Sequence, residues 1–243
     1  FEKPILYWTN NVIGSLNLLD TMNKFHCKKL VFSSSASIYD LSDGKLISED
    51  HLIKPTSPYG KNKEIIEKFL HDIYLGDSKS WRICNLRYFN PIGAHPLGII
   101  GESPISFATN IFPLITKVAL GLKNELKIFG NDWPTKDGTG VRDYIHIIDV
   151  AEGHLNALDF LTKNEPQIKN INLGTGKGTS VLELIKTFER VNNVKINYSY
   201  EPRRNGDKGF IVADNKLAMR LMKWKPKKNL DQMCIDGWKW LIK

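Results

Sequence analysis

Tyr59 and Lys63 are residues of this 243-residue chain whose types and spacing suit proton transfer from an alcohol. The dipeptide Ser57-Pro58 just before them is typical of a helix N-cap followed by proline in the first turn. Four positions apart on that helix, the two side chains would be neighbours. A phenol is a poor base at neutral pH, but a nearby ammonium and the positive end of a helix both favour its phenolate. The pair could therefore take a proton from a sugar or alcohol hydroxyl.

Ser35 is the third catalytic candidate, because it follows a short apolar run that is typical of a buried strand. At the end of that strand it could hydrogen-bond the same substrate oxygen as charge shifts onto it. Simpler interpretations exist for each residue alone. The Tyr-x-x-x-Lys spacing is frequent by chance, Lys63 could pair with Glu67 one turn later, and a serine run often only ends a strand.

Strands and helices alternate in the first part of the chain. Apolar spacing predicts helices over residues 10–26 and 59–74, and buried strands over residues 30–32 and 83–89. This alternation predicts crossover connections and a parallel sheet. Ligands of such sheets lie beyond the carboxyl ends of the strands, so a site is expected near residues 33–35 and Asn90.

The composition of the sequence changes after Pro91, where longer predicted loops rich in Gly, Pro and Asp begin. We therefore predict a domain boundary near this residue, with a smaller α/β lobe after it. Ser180 and Glu183 form a capping-box pair before one of the later helices. The helices of this part are predicted over residues 105–122, 148–161, 181–191, 215–223 and 230–242.

Composition narrows the class of protein. Hydrophobic residues make up 42% and charged residues 25%, which are ordinary globular values and exclude a disordered chain. The net charge of +8 comes from dispersed lysines, which favours a solvated surface, so no nucleic-acid partner is expected. The longest apolar stretch, residues 105–122, is broken by Asn110, Pro113 and Lys117, so no membrane association is expected either.

Cysteine and histidine usage bears on compartment and metals. Three cysteines far apart fit a reducing compartment, so we expect a cytoplasmic protein. His95 and His146 have no second ligand at metal spacing, so both are interpreted as structural and no metal site is expected.

Longer motifs around these residues resemble a known family. The runs VFSSSASIY at residues 31–39 and SPYGKNK at residues 57–63 resemble the extended short-chain dehydrogenase/reductases. The resemblance narrows to the UDP-glucose 4-epimerases and covers essentially the whole chain. The motifs that support this narrower resemblance are LRYFNPIGAH (residues 86–95), FGND (residues 129–132) and DGTGVRDYIH (residues 137–146).

The resemblance implies an isomerase that inverts C4 of a UDP-hexose, UDP-galactose or UDP-glucose, through a transient 4-keto sugar with NAD as cofactor. Tyr59 would be the base, Lys63 would hold the nicotinamide ribose, and Ser35 would bond the 4-oxygen. The cofactor-binding residues implied are Asn10, Ser35, Tyr59, Lys63 and Phe89. The substrate-binding residues implied are Ser35, Tyr59, Asn90, Asn110, Ile111, Lys127, Ile128, Phe129, Arg142, Arg204, Asp207 and Ile211.

Some of these implied roles have competing interpretations. Arg142 and Arg204 would neutralise the diphosphate and Asp207 would take the ribose hydroxyls, as suits two guanidinium forks on phosphate. Arg142 could instead form a salt bridge with Asp143 or Asp149, and Arg204 could lie in a solvated turn. Asn10, just before the first predicted helix, could simply cap it.

The resemblance also implies the architecture, an α/β fold with a Rossmann-like parallel sheet, helices on both faces, and a smaller α/β substrate-binding lobe. Residues 1–91 would be the C-terminal half of the NAD-binding domain. Residues 92–243 would mainly bind the UDP-sugar, with part of residues 144–178 packing back on the first domain. The glycine-rich turn that seats the NAD pyrophosphate in this family is not in the sequence, so the fold is expected to be incomplete at its N-terminus. We expect this chain alone to be poorly soluble and inactive, and the full-length protein to be a homodimer.

Alternatives within and outside this class stay open. Ile211 stands where the family has a residue bordering the hexose, and its intermediate size predicts some tolerance of N-acetyl sugars besides the main pair. UDP-N-acetylhexosamines, UDP-pentoses and UDP-uronic acids share the same C4 chemistry. A non-catalytic sugar-nucleotide-binding fragment is a further alternative. A 4,6-dehydratase is disfavoured, because no acidic residue stands beside Ser35.

Overall fold

The computed structural model describes residues 4–40, 44–103 and 110–243. The first part contains α1 (Pro4–Tyr7), a π-helical stretch (Trp8–Ile13), α2 (Gly14–Lys24), β1 (Lys29–Ser35), β2 (Leu46–Ile47), α3 (Pro58–Gly76), β3 (Arg82–Tyr88) and β4 (Asn90–Ile92). The second contains α4 (Ile111–Ala119), β5 (Leu126–Phe129), β6 (Val141–Arg142), β7 (Tyr144–His146), α5 (Ile147–Lys163), β8 (Gln167–Leu173), β9 (Thr179–Ser180), α6 (Val181–Asn192), β10 (Tyr198–Glu201), β11 (Phe210–Ala213), α7 (Lys216–Met222) and α8 (Leu230–Leu241).

Two helix boundaries differ from prediction. The first helix begins at Pro4 rather than near Asn10, because proline suits a first helical position and the apolar residues after it continue the helix. Asn10 therefore lies inside a helical stretch, and its interpretation as an N-cap is wrong. The helix predicted over residues 105–122 is the shorter α4, and residues 104–109 lie outside the described residues.

The central sheet is parallel, with strand order β1-β3-β8. Its register aligns Ser35 with Tyr88 and Tyr88 with Leu173, so the three strands end at one edge. Residues alternate between the two faces of the sheet, as in any strand. Ile83 packs with Ile66 of α3 on one face. Leu86 of the same strand packs on the other face, with residues of α5 and α7. This confirms the predicted α/β class, with a parallel sheet covered by helices on both faces.

A second apolar core lies among α4, α6 and α8, where Phe112, Ile115 and Phe188 are buried. Short strands connect this region with the central sheet: β11 pairs with β2 and with β6, and β4 pairs with β7. The domain boundary near Pro91 stays a prediction. Among the described residues, no helix combines the length and hydrophobicity needed to span a bilayer.

Buried polar side chains hold the loops at the end of the sheet. The Asp143 carboxylate accepts hydrogen bonds from the backbone N–H groups of Thr175, at 2.7 Å, and Gly176, at 2.9 Å. It thereby fixes the turn that follows β8. On the opposite face of the sheet, the carboxylate of Glu67 accepts two hydrogen bonds from the guanidinium of Arg87. These contacts replace water for groups that would be costly to bury alone.

Candidate active site

The N-terminus of α3 sets the positions of Tyr59 and Lys63. The Ser57 hydroxyl accepts a hydrogen bond from the Gly60 N–H at 3.0 Å, and Pro58 occupies the first turn. This confirms the predicted N-cap. Tyr59 consequently lies in the first turn and Lys63 one turn later, with the ammonium 5.5 Å from the centre of the Tyr59 ring.

Lys63 contacts the serine end of β1 rather than a carboxylate. Its ammonium donates a hydrogen bond to the Ser33 carbonyl at 2.7 Å and lies 4.9 Å from the centre of the Phe32 ring. The alternative pairing with Glu67 is not formed, because that carboxylate binds Arg87. An ammonium has three N–H donors, and within the described residues Lys63 uses one of them, so the others could bind a ligand beside the helix.

The carboxyl end of β1 brings Ser35 to the same place. The Ser35 hydroxyl accepts hydrogen bonds from the Ser37 N–H at 3.2 Å and from the Ser37 hydroxyl at 3.0 Å. It lines the same cavity as Tyr59, and its hydroxyl acts to lower the pKa of that phenol. The serine, the tyrosine and, through Ser33, the lysine therefore converge where the parallel strands end.

Desolvation affects the ionisation of both Tyr59 and Lys63. Burial raises the pKa of Tyr59 above its ordinary value, and the Ser35 hydroxyl only partly opposes this. Burial likewise lowers the pKa of Lys63. The prediction that Lys63 favours the phenolate stays a prediction: the ammonium donates to the Ser33 carbonyl and lies 5.5 Å from the centre of the ring, while desolvation opposes ionisation of the phenol.

Most of the predicted site residues line one cavity of about 470 Å³ at the end of the sheet. Ser35 and Tyr59 form one wall and Ile211 of β11 lies in another. The remaining predicted residues around this cavity are Phe89, Asn90, Asn110, Ile111 and Arg142. Phe89 is buried and packs with Ala36, which gives the cavity floor a rigid aromatic surface.

A second cavity of about 260 Å³ adjoins the first. The two share Asn90, Asn110, Ile111, Arg142 and Tyr144 in their walls, so they form one continuous cleft. The predicted residues found in the second cavity are Lys127, Ile128, Phe129, Arg204 and Asp207. Lys63 and Asn10 line neither cavity; Asn10 is exposed on the π-helical stretch.

The charged residues of the second cavity have specific contacts. Arg142 donates to Asp207 at 2.5 Å, instead of to the alternative partners Asp143 and Asp149. The guanidinium of Arg204 lies 3.7 Å from the centre of the Phe129 ring, which is a cation–π contact rather than a freely solvated turn. Two arginines and one carboxylate are thus held in the second cavity.

Tyr144 and Tyr88 are candidate site residues that sequence reasoning missed. The Tyr144 hydroxyl is buried at the junction of the two cavities and has no hydrogen-bond partner among the described residues. The two-residue alternation of strands could have identified it, since it lies two positions after Arg142. The Tyr88 hydroxyl bonds Ser33 at 2.7 Å and the His154 ring at 2.5 Å, a contact that no local signal reveals.

The histidines singled out from sequence are structural. The buried His146 ring accepts from the Ile148 N–H at 3.0 Å and lies 3.1 Å from the Asp236 carboxylate. His95 accepts from the Leu97 N–H. Within the part of the chain that the structure describes, His, Cys, Asp and Glu form no group of three suited to holding a metal ion.

Sequence comparisons place this site among known proteins. A protein-family model described as GDP-mannose 4,6 dehydratase matches residues 1–236. UDP-glucose 4-epimerase 4 of Oryza sativa subsp. japonica is 48% identical over 242 residues, which are 100% of this chain and 65% of that protein. The UDP-glucose 4-epimerase of Bacillus subtilis (strain 168) is 45% identical over 237 residues, 98% of this chain and 69% of that protein.

Solved structures give the same result. The UDP-glucose 4-epimerase of Stenotrophomonas maltophila, with bound NAD and formylated UDP-arabinopyranose, has a TM-score of 0.95 at 44% identity and covers 98% of this chain and 70% of its own. The UDP-glucose 4-epimerase of Bifidobacterium longum, in complex with NAD+ and UDP, has a TM-score of 0.91 at 41% identity. The match covers 99% of this chain and 71% of that one. The chain therefore spans about two thirds of the length of the relatives it matches.

Proposed function

The chain belongs to the UDP-glucose 4-epimerases, and from that premise we propose that it takes part in the NAD-dependent interconversion of UDP-galactose and UDP-glucose. The observation that carries this proposal is the continuous cleft. It has Tyr59 and Ser35 in the first cavity, Arg204 and Asp207 in the second, and Arg142 in the wall that the two cavities share. A cleft with a proton-transfer group in one part and anion-binding groups in the other suits a sugar joined to a nucleotide diphosphate.

NAD fits the residues beside Tyr59. Lys63 is half-buried and donates one hydrogen bond within the described residues, so its other N–H groups could bind the hydroxyls of the nicotinamide ribose, and the aromatic Phe89 lines the same cavity as Tyr59. Asn10 stays a predicted cofactor contact. When bound, NAD supplies the acceptor that takes hydride from the sugar C4 and returns it, together with a positive charge near the phenol.

In the proposed reaction, Tyr59 takes the proton of the sugar 4-hydroxyl and later returns it. Ser35, which lines the same cavity as Tyr59, would hydrogen-bond the 4-oxygen and so keep it beside the phenol. The raised pKa of Tyr59 makes its phenolate a stronger base toward the 4-hydroxyl and keeps the resting phenol protonated. Ionising the phenol in the forward direction therefore requires a neighbouring positive charge.

Binding energy for the substrate would come from the nucleotide rather than the hexose. Arg142 and Arg204 would neutralise the diphosphate, Asp207 would bind the ribose hydroxyls, and the backbone of residues 127–129 would hold the uracil. Anchoring the remote group leaves the sugar free to turn over between the two hydride transfers. Tyr144, whose hydroxyl is buried at the junction of the cavities, would contact the ligand where the two parts meet.

Tyr59→Phe tests this function. It removes only the hydroxyl, so we expect the rate of UDP-galactose conversion to fall by about 10²- to 10⁴-fold while UDP binds with unchanged affinity. Tyr198→Phe, on the exposed strand β10, is the matched control and should leave both unchanged. A Tyr59→Phe protein that keeps the unmodified rate would contradict the proposal.

The sugar accepted is proposed to depend on Ile211. This residue lines the cavity that holds Tyr59, and its backbone is fixed by a hydrogen bond from the Asp143 N–H to its carbonyl at 3.0 Å. We expect Ile211→Tyr to reduce turnover of UDP-N-acetylglucosamine by about tenfold and to leave UDP-galactose turnover within about twofold, as pocket-size effects do. Equal effects on both sugars would exclude a gating role.

A UDP-pentose is the second candidate substrate, since the Stenotrophomonas maltophila relative holds formylated UDP-arabinopyranose. Turnover of UDP-arabinose measured beside that of UDP-galactose separates the two candidates. The homodimer and the cytoplasmic location stay predictions.

A further inference from the structure

The loop of residues 202–209 carries two of the proposed nucleotide ligands, Arg204 and Asp207. We propose that Arg203, Asp132 and Trp133, here named the Arg203 clasp, hold this loop in position for nucleotide binding. The inference rests on the proposed function, because the clasp acts through Arg204 and Asp207. Arg203 would then be a positioning residue and not a ligand.

Arg203 is held at both its edge and its face. Its Nε donates to the Asp132 carboxylate at 2.7 Å, and one terminal nitrogen donates to the Asp132 carbonyl at 2.6 Å. The guanidinium carbon lies 3.9 Å from the centre of the Trp133 ring. This combination uses the planar fork and the planar face of arginine together, which a lysine cannot do.

Two glycines make room for the Trp133 ring. A Cβ atom at Gly130 would lie 2.5 Å from the indole nitrogen, and a Cβ atom at Gly209 would lie 2.8 Å from Cε3 of the ring. Gly130 also has a φ of +84°, which favours glycine. The indole is thus enclosed by Gly130, at the start of the loop of residues 130–140, by Gly209, at the end of the loop of residues 202–209, and by Arg203. Both loops are fitted to each other through this one ring.

The clasp differs from the other contacts of the loop in its relation to the cleft. Arg142 and Asp207 bind each other at 2.5 Å, but both line the second cavity, so a bound nucleotide would compete for them. Arg204, stacked near Phe129, lines the same cavity. Arg203 and Asp132 line neither described cavity. Their contacts can therefore persist while the neighbouring groups exchange partners for ligand.

The exposure of the Arg203 and Asp132 side chains indicates that the clasp does not stabilise the fold as a whole. The side chains of Arg203 and Asp132 are 39% and 68% exposed, so their ion pair adds little to the stability of the whole fold. Its effect is expected locally, in the order of residues 202–209. Loss of the clasp would let the loop sample other positions, and nucleotide binding would bear the free-energy cost of ordering it again.

The test is Arg203→Gln in the purified protein, with UDP as the probe ligand. We expect the Kd for UDP, by titration calorimetry, and the KM for UDP-galactose to rise about tenfold, which corresponds to about 1.4 kcal/mol. The kcat should stay within about twofold, because uniform binding is lost rather than transition-state binding. Arg203→Lys should recover part of the affinity, and Asp132→Ala should weaken UDP binding in the same way.

Arg190→Gln is the matched control. Arg190 forms an exposed ion pair with Asp231 at 2.6 Å, and neither residue lines the first or the second cavity, so UDP affinity should not change. The melting temperatures of all variants should agree within a few degrees. An unchanged Kd in Arg203→Gln and Asp132→Ala, or an equal loss in Arg190→Gln, would overturn the clasp. Protein produced from its complete coding sequence that binds UDP and NAD but converts no UDP-sugar would overturn the proposed function, while the UDP titration still tests the clasp.

Discussion

Glu67→Gln removes the negative member of a buried ion pair next to the serine end of β1. The Glu67 carboxylate accepts from Arg87 at 3.0 Å and 2.5 Å, and from the Ser34 hydroxyl. The side chains of Glu67 and Arg87 are 7% and 1% exposed. The remaining guanidinium nitrogen of Arg87 bonds the Tyr39 hydroxyl at 2.8 Å.

The magnitude follows from that burial. A glutamine keeps one acceptor oxygen but leaves the guanidinium without a counter-charge, and breaking a buried pair from one side costs about 3–5 kcal/mol. We therefore expect the free energy of unfolding to fall by about 3–5 kcal/mol, a large part of the total for an ordinary domain. Because Ser34 loses its carboxylate partner next to Ser35, epimerase turnover should fall as well.

Urea unfolding followed by tryptophan fluorescence measures the change. Glu64→Gln is the matched control, since Glu64 lies on the same helix and pairs with the exposed Lys68 at 2.7 Å. That variant should change the free energy of unfolding by less than about 0.5 kcal/mol. The double variant Glu67→Leu with Arg87→Met removes both charges and should recover most of the loss.

Two results would refute this reasoning. One is a Glu67→Gln protein whose free energy of unfolding falls by less than about 1 kcal/mol, because burying an unpaired guanidinium should cost more than that. The other is a double variant less stable than Glu67→Leu alone, because the remaining charge would then not be the cause of the destabilisation.

Two further predictions concern the fold around the site. Burial lowers the pKa of His146 below its ordinary 6.5. The unfolded chain therefore binds more protons than the folded one, and stability is lost as the pH falls below about 6.5. In urea unfolding at several pH values, His146→Asn should lose less stability on acidification than the unmodified protein, by up to about 1.4 kcal/mol per pH unit. A parallel slope for both proteins would contradict this. Gly174→Ala should destabilise by about 1–3 kcal/mol, because its Cβ would lie 2.6 Å from both Asp143 and Ala213. Gly14→Ala should stabilise the protein by up to about 1 kcal/mol, because Gly14 is helical and a Cβ atom there would meet open space. If the melting temperatures of both variants shift in the same direction, the packing argument is contradicted.

Much of the fold was predictable because its signals are local. Ser57-Pro58 predicted where α3 begins, and the Ser180 hydroxyl accepts from the Glu183 N–H at 3.0 Å as the capping pair predicted. The first helix boundary failed, since the apolar period alone did not show that the helix starts at Pro4. Caps and apolar periods both depend on residues within about one turn, and Pro4 is itself a local start signal that the apolar period does not include.

The sequence by itself determined which chemistry is available: a tyrosine and a lysine one helical turn apart, a serine at a strand end, and arginines and an aspartate in later loops. Only the tertiary structure decided how these groups act on one another. Arg142 meets Asp207 across 65 positions, and Ser33 lies near His154 across 121, separations over which no local pattern carries information. The pKa of Tyr59 also depends on the tertiary structure, because desolvation is set by everything packed around a group, whereas spacing along the helix concerns only its neighbours.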